Sequence, residues 1–261
     1  LQMQQLQSCS VWNLGNFWIV ILKIYKKYWD FFTIIIVWLS ILWLMFIYSN
    51  TVKSENHKNN SFTKIEEIHF KEIIWQKNSK VQHFWWLENF IFLENENGIK
   101  LQFPQATYKP SVKPVGWGGF VYNLDASVSK AKLEYTLMFS ENFDFVKWWK
   151  LPGLCWWDCP RWSVSTDNWF SARFMWRNLG DLELYLYLPK NFSSFGTSKW
   201  RGMFRFEPWK EYQIAQYIQL NMPGNRDGYI EIFIDNQLVH IEKDIDFFHI
   251  NNFNIDSVLF S

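Results

Sequence analysis

Two neighbouring runs of the sequence read F-S-A-R-F-M-W-R at Phe170–Arg177 and E-L-Y-L-Y-L-P at Glu183–Pro189. Both runs alternate with a period of two residues, which is typical of a half-buried β-strand. Gly180-Asp181 lies between the runs and supplies turn-forming residues. The sequence therefore predicts an antiparallel pair of strands at this place.

The alternation assigns the side chains of each run to two faces. One face carries Ser171, Arg173, Met175 and Arg177 of the first run, and Glu183, Tyr185 and Tyr187 of the second. If the two polar faces coincide, a hydroxyl, a guanidinium and two phenols lie on one sheet surface. Upstream, W-W-K-L-P-G-L at Trp148–Leu154 places Lys150 before Pro152-Gly153, a turn signal that would bring the ammonium to the rim of that surface. Such a set suits an anionic ligand, and the alternative is an ordinary solvated sheet face.

Several spaced motifs in this order resemble polysaccharide lyase family 14, the alginate and glucuronan lyases. The resemblance rests on K-L-P-G-L, F-S-x-R-x-M-W-R and E-x-Y-x-Y-x-P, together with M-F-S-E-N-F-D-F-V-K before the lysine and L-N-M-P-G-N-R-D-G-Y-I-E-I-F-I-D at Leu220–Asp235. It covers the chain roughly from Gly118 onward. It implies a jelly-roll sandwich of two antiparallel sheets, one of them curved into a substrate cleft. It also implies an active site formed by Lys150, Ser171, Arg173, Tyr185 and Tyr187.

The chemistry implied by this resemblance is β-elimination from a 4-O-linked uronate. Removal of the C5 proton places a second negative charge beside the sugar carboxylate, so cations and hydrogen-bond donors at that carboxylate lower the barrier. Arg173 suits bidentate carboxylate binding, Ser171 can add a hydroxyl donor, and Lys150 can add a mobile charge. Which of Lys150, Tyr185 and Tyr187 takes the proton stays open, since a phenol is a poor base until cations favour its phenolate. The scheme requires no metal and no cofactor.

Two other classes of function remain open from the sequence. One is a non-catalytic carbohydrate-binding module, because aromatic residues are abundant and can stack on sugar rings. The other is a jelly-roll glycoside hydrolase that uses two acids, for which the candidates are Asp158, Asp167, Asp181 and Glu183. Their spacing alone does not support a catalytic pair. The chain contains no G-x-S-x-G, Walker or H-E-x-x-H motif, which removes several other hydrolase classes.

The rest of the chain also favours an all-β fold. Strands are predicted at Lys132–Phe139, Met203–Phe206, Tyr212–Leu220, Tyr229–Ile234 and Gln237–Ile241. Asp235-Asn236, between the last two, is a hairpin-turn candidate. Many short strands with little helical periodicity indicate a sandwich or a jelly roll. The chain stops at Ser261 within a strand-like run, so we expect a truncated C-terminus.

The N-terminal part is predicted to contain a membrane anchor. Phe31–Tyr48 is an uncharged apolar run of 18 residues, preceded by Lys23, Lys26 and Lys27. This length is close to the ~20 residues that span a bilayer, and the lysines favour a cytoplasmic N-terminus. No A-x-A pattern follows the run, which favours an uncleaved anchor over a cleaved signal. The predicted order is a cytoplasmic segment 1–30, an anchor or signal 31–48, a linker 49–61 and an extracytoplasmic, anchored or secreted lyase-like domain 62–261.

Charge and cysteine content limit the possible partners. The net charge is +1, so no global field favours nucleic acid, and any attraction for an acidic polysaccharide must be local. Cys155 and Cys159 are able to pair as a disulfide in an exported domain or to remain free thiols. Both alternatives are preferred to a zinc site, because no suitably spaced ligands accompany them.

Tryptophan is unusually frequent relative to glycine. The chain has 18 Trp and 11 Gly, although the turns of a β-rich protein need residues that tolerate positive φ. Tryptophans fall at turn-like places at 148, 149, 156, 157, 162, 169, 200 and 209. We hypothesise that many of them come from UGA codons read as Trp where the source genome reads Gly.

Overall fold

The structure is a computed structural model that describes residues 66–70, 80–93, 97–104, 116–157, 159–161, 169–189, 195–247 and 254–261. All of these residues lie in the unit Phe62–Ser261. The predicted cytoplasmic segment, anchor and linker lie outside them. Within the described ranges, no helix is both long and apolar enough to cross a membrane.

The described residues form an all-β protein, as predicted. The strands are β1 Val81–Trp85, β2 Phe90–Leu93, β3 Gly98–Leu101, β4 Gly119–Val128, β5 Lys130–Met138, β6 Trp149–Cys155, β7 Ser171–Trp176, β8 Leu182–Tyr187, β9 Thr197–Lys199, β10 Glu211–Gln219, β11 Gly228–Ile234, β12 Gln237–Ile245 and β13 Ile255–Phe260. Single turns of 3₁₀ helix occur at Leu87–Asn89 and Asn178–Gly180.

In the part of the chain that the structure describes, the strands form two larger antiparallel sheets. One has seven strands in the order β1-β4-β13-β6-β7-β8-β9, and the other has four in the order β12-β11-β10-β5. Strands β2 and β3 form a separate hairpin. This order makes β6, β7 and β8 direct neighbours, so the three sequence motifs meet on one sheet.

The core lies between the two larger sheets. Phe174 of β7 and Leu184 of β8 belong to one buried cluster with Tyr212, Ile214 and Ile230 of the four-stranded sheet. Because side chains alternate along a strand, committing these residues to the core directs the other residues of β7 and β8 to the opposite face. The candidate site is on that opposite face.

The predicted strands agree with the structure except at one place. Asp235 and Asn236 have φ of 51° and 62°, the left-handed values of a two-residue hairpin, and they join β11 to β12. The strand predicted at Met203–Phe206 is wrong, since this segment makes only an isolated bridge between Arg205 and Asp181. Its backbone instead bonds the turn between β7 and β8, with the Phe206 amide donating to the Gly180 carbonyl at 2.9 Å.

Backbone conformation separates the tryptophans into two groups. A positive φ occurs at Trp86 (47°), Trp157 (61°), Trp200 (51°) and Trp209 (59°). Bulky residues are genuine outliers in this region, whereas glycine occupies it freely. Trp148, Trp149 and Trp156 are described residues without a positive φ. Among the turn-like positions named above, backbone geometry therefore supports the glycine hypothesis at Trp157, Trp200 and Trp209. It does not support it at Trp148, Trp149, Trp156 and Trp169, and Trp162 lies outside the described residues.

We predict that Trp209→Gly raises the free energy of unfolding by about 1 kcal/mol, since the left-handed strain removed is about 1–2 kcal/mol and exceeds the entropy cost of a glycine. Trp209 is 67% exposed, so little buried area is lost. Trp148→Gly is the matched control, because Trp148 is 50% exposed and has no positive φ. Urea unfolding of both variants measures the difference. Equal destabilisation in the two variants would contradict the strain argument.

Candidate active site

The predicted pairing of the two decisive runs is confirmed. Strands β7 and β8 are antiparallel, and the opposed residues are Ser171 with Tyr187, Arg173 with Tyr185, and Met175 with Glu183. Directly opposed residues of an antiparallel pair project from the same face. The hydroxyl, the guanidinium and both phenols therefore share one surface of the seven-stranded sheet.

Strand β6 adds Lys150 to this surface through a bulge. Lys150 is opposite Met175 and Gly153 is opposite Arg173, with a register shift between them. The turn predicted at Pro152-Gly153 is wrong, because the chain continues as a strand to Cys155. Proline has no amide hydrogen for the ladder and is tolerated at a bulge. Glycine is required at 153, since a Cβ there would lie 2.0 Å from the Ala172 carbonyl oxygen.

Lys150 lies among aromatic rings and other cations. Its Nζ is 5.3 Å from the ring centre of Tyr185 and 5.9 Å from that of Trp148. The guanidinium carbon of Arg177 lies over the same two rings, at 5.9 Å and 5.3 Å. Burial, helped by the positive charges of Arg173 and Arg177 and opposed by Glu183, lowers the pKa of Lys150 to about 6. In most molecules the Lys150 side chain is consequently a neutral amine at pH 7.

Arg173 is a buried cation with unused hydrogen-bonding capacity. Its side chain is 1% exposed, and Nη1 donates to Oγ of Ser261 at 2.7 Å. Its Nε and Nη2 have no hydrogen-bond partner among the described residues. Burial lowers the pKa of Arg173 to about 9, so the guanidinium is still charged at pH 7. A buried charge with unsatisfied donors is costly to the fold, which points to a role in binding an anion.

The two tyrosines are packed edge to face beside these cations. Their ring centres are 5.5 Å apart, and the Tyr185 hydroxyl oxygen accepts a hydrogen bond from the Gly196 amide at 2.9 Å. Burial and the neighbouring Tyr187 raise the pKa of Tyr185 to about 12. The Tyr185 phenol is therefore protonated at pH 7 and is able to donate a proton.

Ser171 has a different partner from the expected one. Its hydroxyl donates to the Pro160 carbonyl oxygen at 2.8 Å, so its proton is not directed at a ligand in this structure. Pro160 follows Cys159, which forms a disulfide with Cys155 as in one of the two alternatives above. This link keeps the segment 159–161 next to the end of β7.

The alternative of an ordinary solvated sheet face is wrong for the four residues on β7 and β8. Ser171 is 0% exposed, Arg173 1%, Tyr185 7% and Tyr187 4%, whereas Lys150 on β6 is partly exposed. Alternation predicts which face a side chain takes but not what covers that face. A ligand carboxylate reaches the Arg173 guanidinium only if the surrounding side chains move apart.

Sequence reasoning missed the ion pair at the end of the site. Glu183 is fully buried and accepts from Arg177 Nε at 2.8 Å and Nη2 at 2.7 Å, with Arg201 Nε at 3.6 Å. The available signal was the same alternation, which had placed both Arg177 and Glu183 on the polar face. The pair leaves the positive charge of Arg173 without a neutralising carboxylate of its own in the described part of the site.

The carboxylates proposed for a hydrolase are engaged elsewhere. Asp181 binds Arg205, whose Nε donates to it at 2.8 Å, and Glu183 binds Arg177. Asp158 and Asp167 lie outside the described residues. In the ranges that the structure describes, no group of three His, Cys, Asp or Glu side chains is placed to hold a metal ion.

These features define an all-β protein with a cationic, tyrosine-lined site for an acidic ligand on its larger sheet. The family description Polysaccharide lyase 14 matches residues 93–261, and the chain belongs to this family. It is therefore a polysaccharide lyase, as the motifs imply.

Solved structures agree on the fold. The chain is similar to the PL-14 alginate lyase from Aplysia kurodai, with 23% identity, a TM-score of 0.64, and coverage of 76% of this chain and 87% of that one. It is also similar to an alginate lyase from Chlorella virus, with 14% identity, a TM-score of 0.62, and coverage of 69% and 81%. No curated protein matches the chain.

Proposed function

We propose that this protein is a jelly-roll lyase that cleaves 4-O-linked polyuronates, of the alginate or glucuronan kind, by β-elimination. The observation that carries the proposal is the buried Arg173 guanidinium with its Nε and Nη2 unpartnered among the described residues, next to Lys150 and Tyr185. The two alginate lyases named above share its fold, which supports alginate as the first substrate to test.

Arg173 binds the uronate carboxylate at the cleavage point. Its two donors form a planar fork that matches the two oxygens of a carboxylate. As the C5 proton leaves, negative charge spreads onto that carboxylate, and a fixed cation in a buried site stabilises it more strongly than water does. Binding also satisfies the donors of Arg173 that the described residues leave open.

The pKa values of Lys150 and Tyr185 are pushed in opposite directions, which supports Lys150 as the base and Tyr185 as the acid. Lys150, with a pKa of about 6, is the neutral amine that takes the C5 proton. Tyr185, with a pKa of about 12, keeps its proton and delivers it to O4 of the departing sugar. The C5–H and C4–O4 bonds break, a C4–C5 double bond forms, and Tyr187 packs against Tyr185 beside the leaving group.

This assignment predicts a pH profile. Because kcat/KM reports the ionisation of the free enzyme, it should rise as pH increases through about 6, where Lys150 loses its proton. Arg177→Gln should move that rise to higher pH, because the positive charge of Arg177 helps to lower the pKa of Lys150. Initial rates across the pH range measure both effects. A kcat/KM that falls through pH 6 would mean that Lys150 acts as a cation and not as the base.

The reaction type is tested by counting two kinds of chain end on alginate and on glucuronan. A lyase makes one ultraviolet-absorbing unsaturated end for every new reducing end. Reducing ends without unsaturation would support the glycoside hydrolase alternative. Binding without new ends of either kind would support the carbohydrate-binding module.

The proposal places the lyase domain outside the cytoplasm, held by the apolar run 31–48 or released from it. The disulfide between Cys155 and Cys159 supports this location, because such bonds persist in oxidising compartments. An acidic polysaccharide is the expected partner there. Protease treatment of intact cells tests the location, since an extracytoplasmic domain is cut and a cytoplasmic one is protected.

A further inference from the structure

Another arginine, Arg161, lies next to the candidate active site and was not among the predicted site residues. The guanidinium carbon of Arg161 lies 4.5 Å from the ring centre of Trp85, the last residue of β1. Its Nη1 donates to the Cys159 carbonyl oxygen at 3.1 Å. The ring contact and this hydrogen bond together hold the guanidinium plane in one orientation.

The connections of its neighbours place Arg161 at one end of the site. Pro160 accepts the hydrogen bond from Ser171, and Cys159 is linked to Cys155, which is opposite Ser171 in the β6–β7 ladder. Arg161 follows immediately, so its backbone lies near the Ser171–Tyr187 pair, while its guanidinium extends to Trp85 of β1. The Ser171–Tyr187 pair is two residues along the strands from the Arg173–Tyr185 pair, a distance of roughly 7 Å. The charge of Arg161 contributes to lowering the pKa of Arg173, which agrees with their proximity.

A polyuronate carries a carboxylate on every sugar, so a chain bound at Arg173 presents further carboxylates on either side. An oriented guanidinium is the group best suited to bind one of them bidentately. Lys150 and the Arg177–Glu183 pair occupy the other end of the site, next to Met175. The Arg161–Trp85 pair therefore lies toward β1, whereas the base Lys150 lies on β6, next to β7.

We propose that Arg161, held on Trp85, binds the carboxylate of the uronate next to the one at Arg173 and so forms a second sugar subsite. The proposal rests on the function proposed above. In this account Arg161 contributes binding energy that is the same in the ground state and the transition state. Its loss should therefore raise KM and leave kcat nearly unchanged.

The test compares Arg161→Gln and Arg161→Lys with the wild type in the full chain, on a length series of oligouronates from two sugars upward. Arg161→Gln should raise KM for long oligomers about 10- to 100-fold, the value of a hydrogen-bonded charge pair, with kcat changed less than twofold. Arg161→Lys keeps the positive charge but lacks the planar fork of donors. Its KM for long oligomers should therefore lie between those of the wild type and Arg161→Gln. For oligomers too short to reach the subsite, the variants and the wild type should have equal KM.

Arg226→Gln is the matched control, because Arg226 lies in the connection between β10 and β11 of the four-stranded sheet and is exposed. It should leave KM unchanged at every length. Isothermal calorimetry with the longest oligomer measures affinity independently of the reaction. A wild type that makes no unsaturated ends would refute the lyase function. A loss of affinity in Arg161→Gln would still support the subsite in that case. The subsite would be overturned if Arg161→Gln raised KM equally for oligomers of every length. It would also be overturned if the variant lowered kcat or the melting temperature while KM and affinity stayed unchanged. Either result would leave Arg161 with a structural role.

Discussion

Lys150→Met is expected to lower kcat on a polyuronate by about 100-fold or more without weakening the fold. A positioned general base contributes about 10²- to 10⁴-fold, and methionine has similar volume but no amine. The pKa of Lys150 is about 6 in the folded protein and near 10.5 when the side chain is fully solvated. Between these values the unfolded chain binds more protons at this position, so removing the amine removes a destabilising contribution at pH 7. The rate of formation of unsaturated ends and urea unfolding measure the two effects.

Lys147→Met is the control for this variant. Lys147 is exposed and three residues away, so its replacement should change neither kcat nor the unfolding free energy appreciably. A Lys150→Met enzyme that retains more than about a tenth of the wild-type kcat would exclude Lys150 as the base. The proton would then have to go to one of the two tyrosines.

Arg173→Met is expected to separate activity from stability most clearly. Loss of the cation that stabilises the developing charge should reduce kcat/KM by about 10²- to 10³-fold. The free energy of unfolding should fall by less than about 1 kcal/mol or should rise, because replacing a buried charge with an apolar side chain of similar volume is often neutral or stabilising. The guanidinium has only one hydrogen bond to a described residue, to Ser261, so the variant removes only that hydrogen bond among the described residues.

Arg205→Met provides the comparison, since Arg205 is largely exposed and pairs with Asp181 at 2.8 Å. An exposed ion pair contributes about 0–1 kcal/mol, so this variant should keep both its activity and its stability. If Arg173→Met instead loses about 3–5 kcal/mol, the guanidinium has a structural partner. It would then not be the carboxylate-binding group.

The faces of β7 and β8 could be predicted because alternation is a local property of the chain. With a side-chain period of two, placing Phe174 and Leu184 in the core also places Arg173 and Tyr185 on the other face. The turn between the strands was readable for the same reason. The shape of β6 was not, since Pro152-Gly153 is compatible with either a turn or a bulge. Pairing with β7 on one side and β13 on the other decides for the bulge.

The electrostatics of the site could not be predicted from local sequence. The lowered pKa of Lys150 depends on burial and on Arg173 and Arg177, which are more than 20 positions away in the chain. The bond between Ser171 and the Pro160 carbonyl depends on the path of the segment after the disulfide. Arg161 was missed because it lies in a connection and not on either alternating strand.

In the proposed mechanism, polyuronate chains are cut by elimination and not by addition of water. The most direct measurement is mass spectrometry of oligosaccharides released from alginate or glucuronan in water enriched in heavy oxygen. Elimination should give pairs of products whose new ends contain no heavy oxygen from the cleavage step. One of the two should be lighter than its saturated counterpart by the mass of one water. Heavy oxygen incorporated once per cleavage, with no unsaturated product, would contradict it.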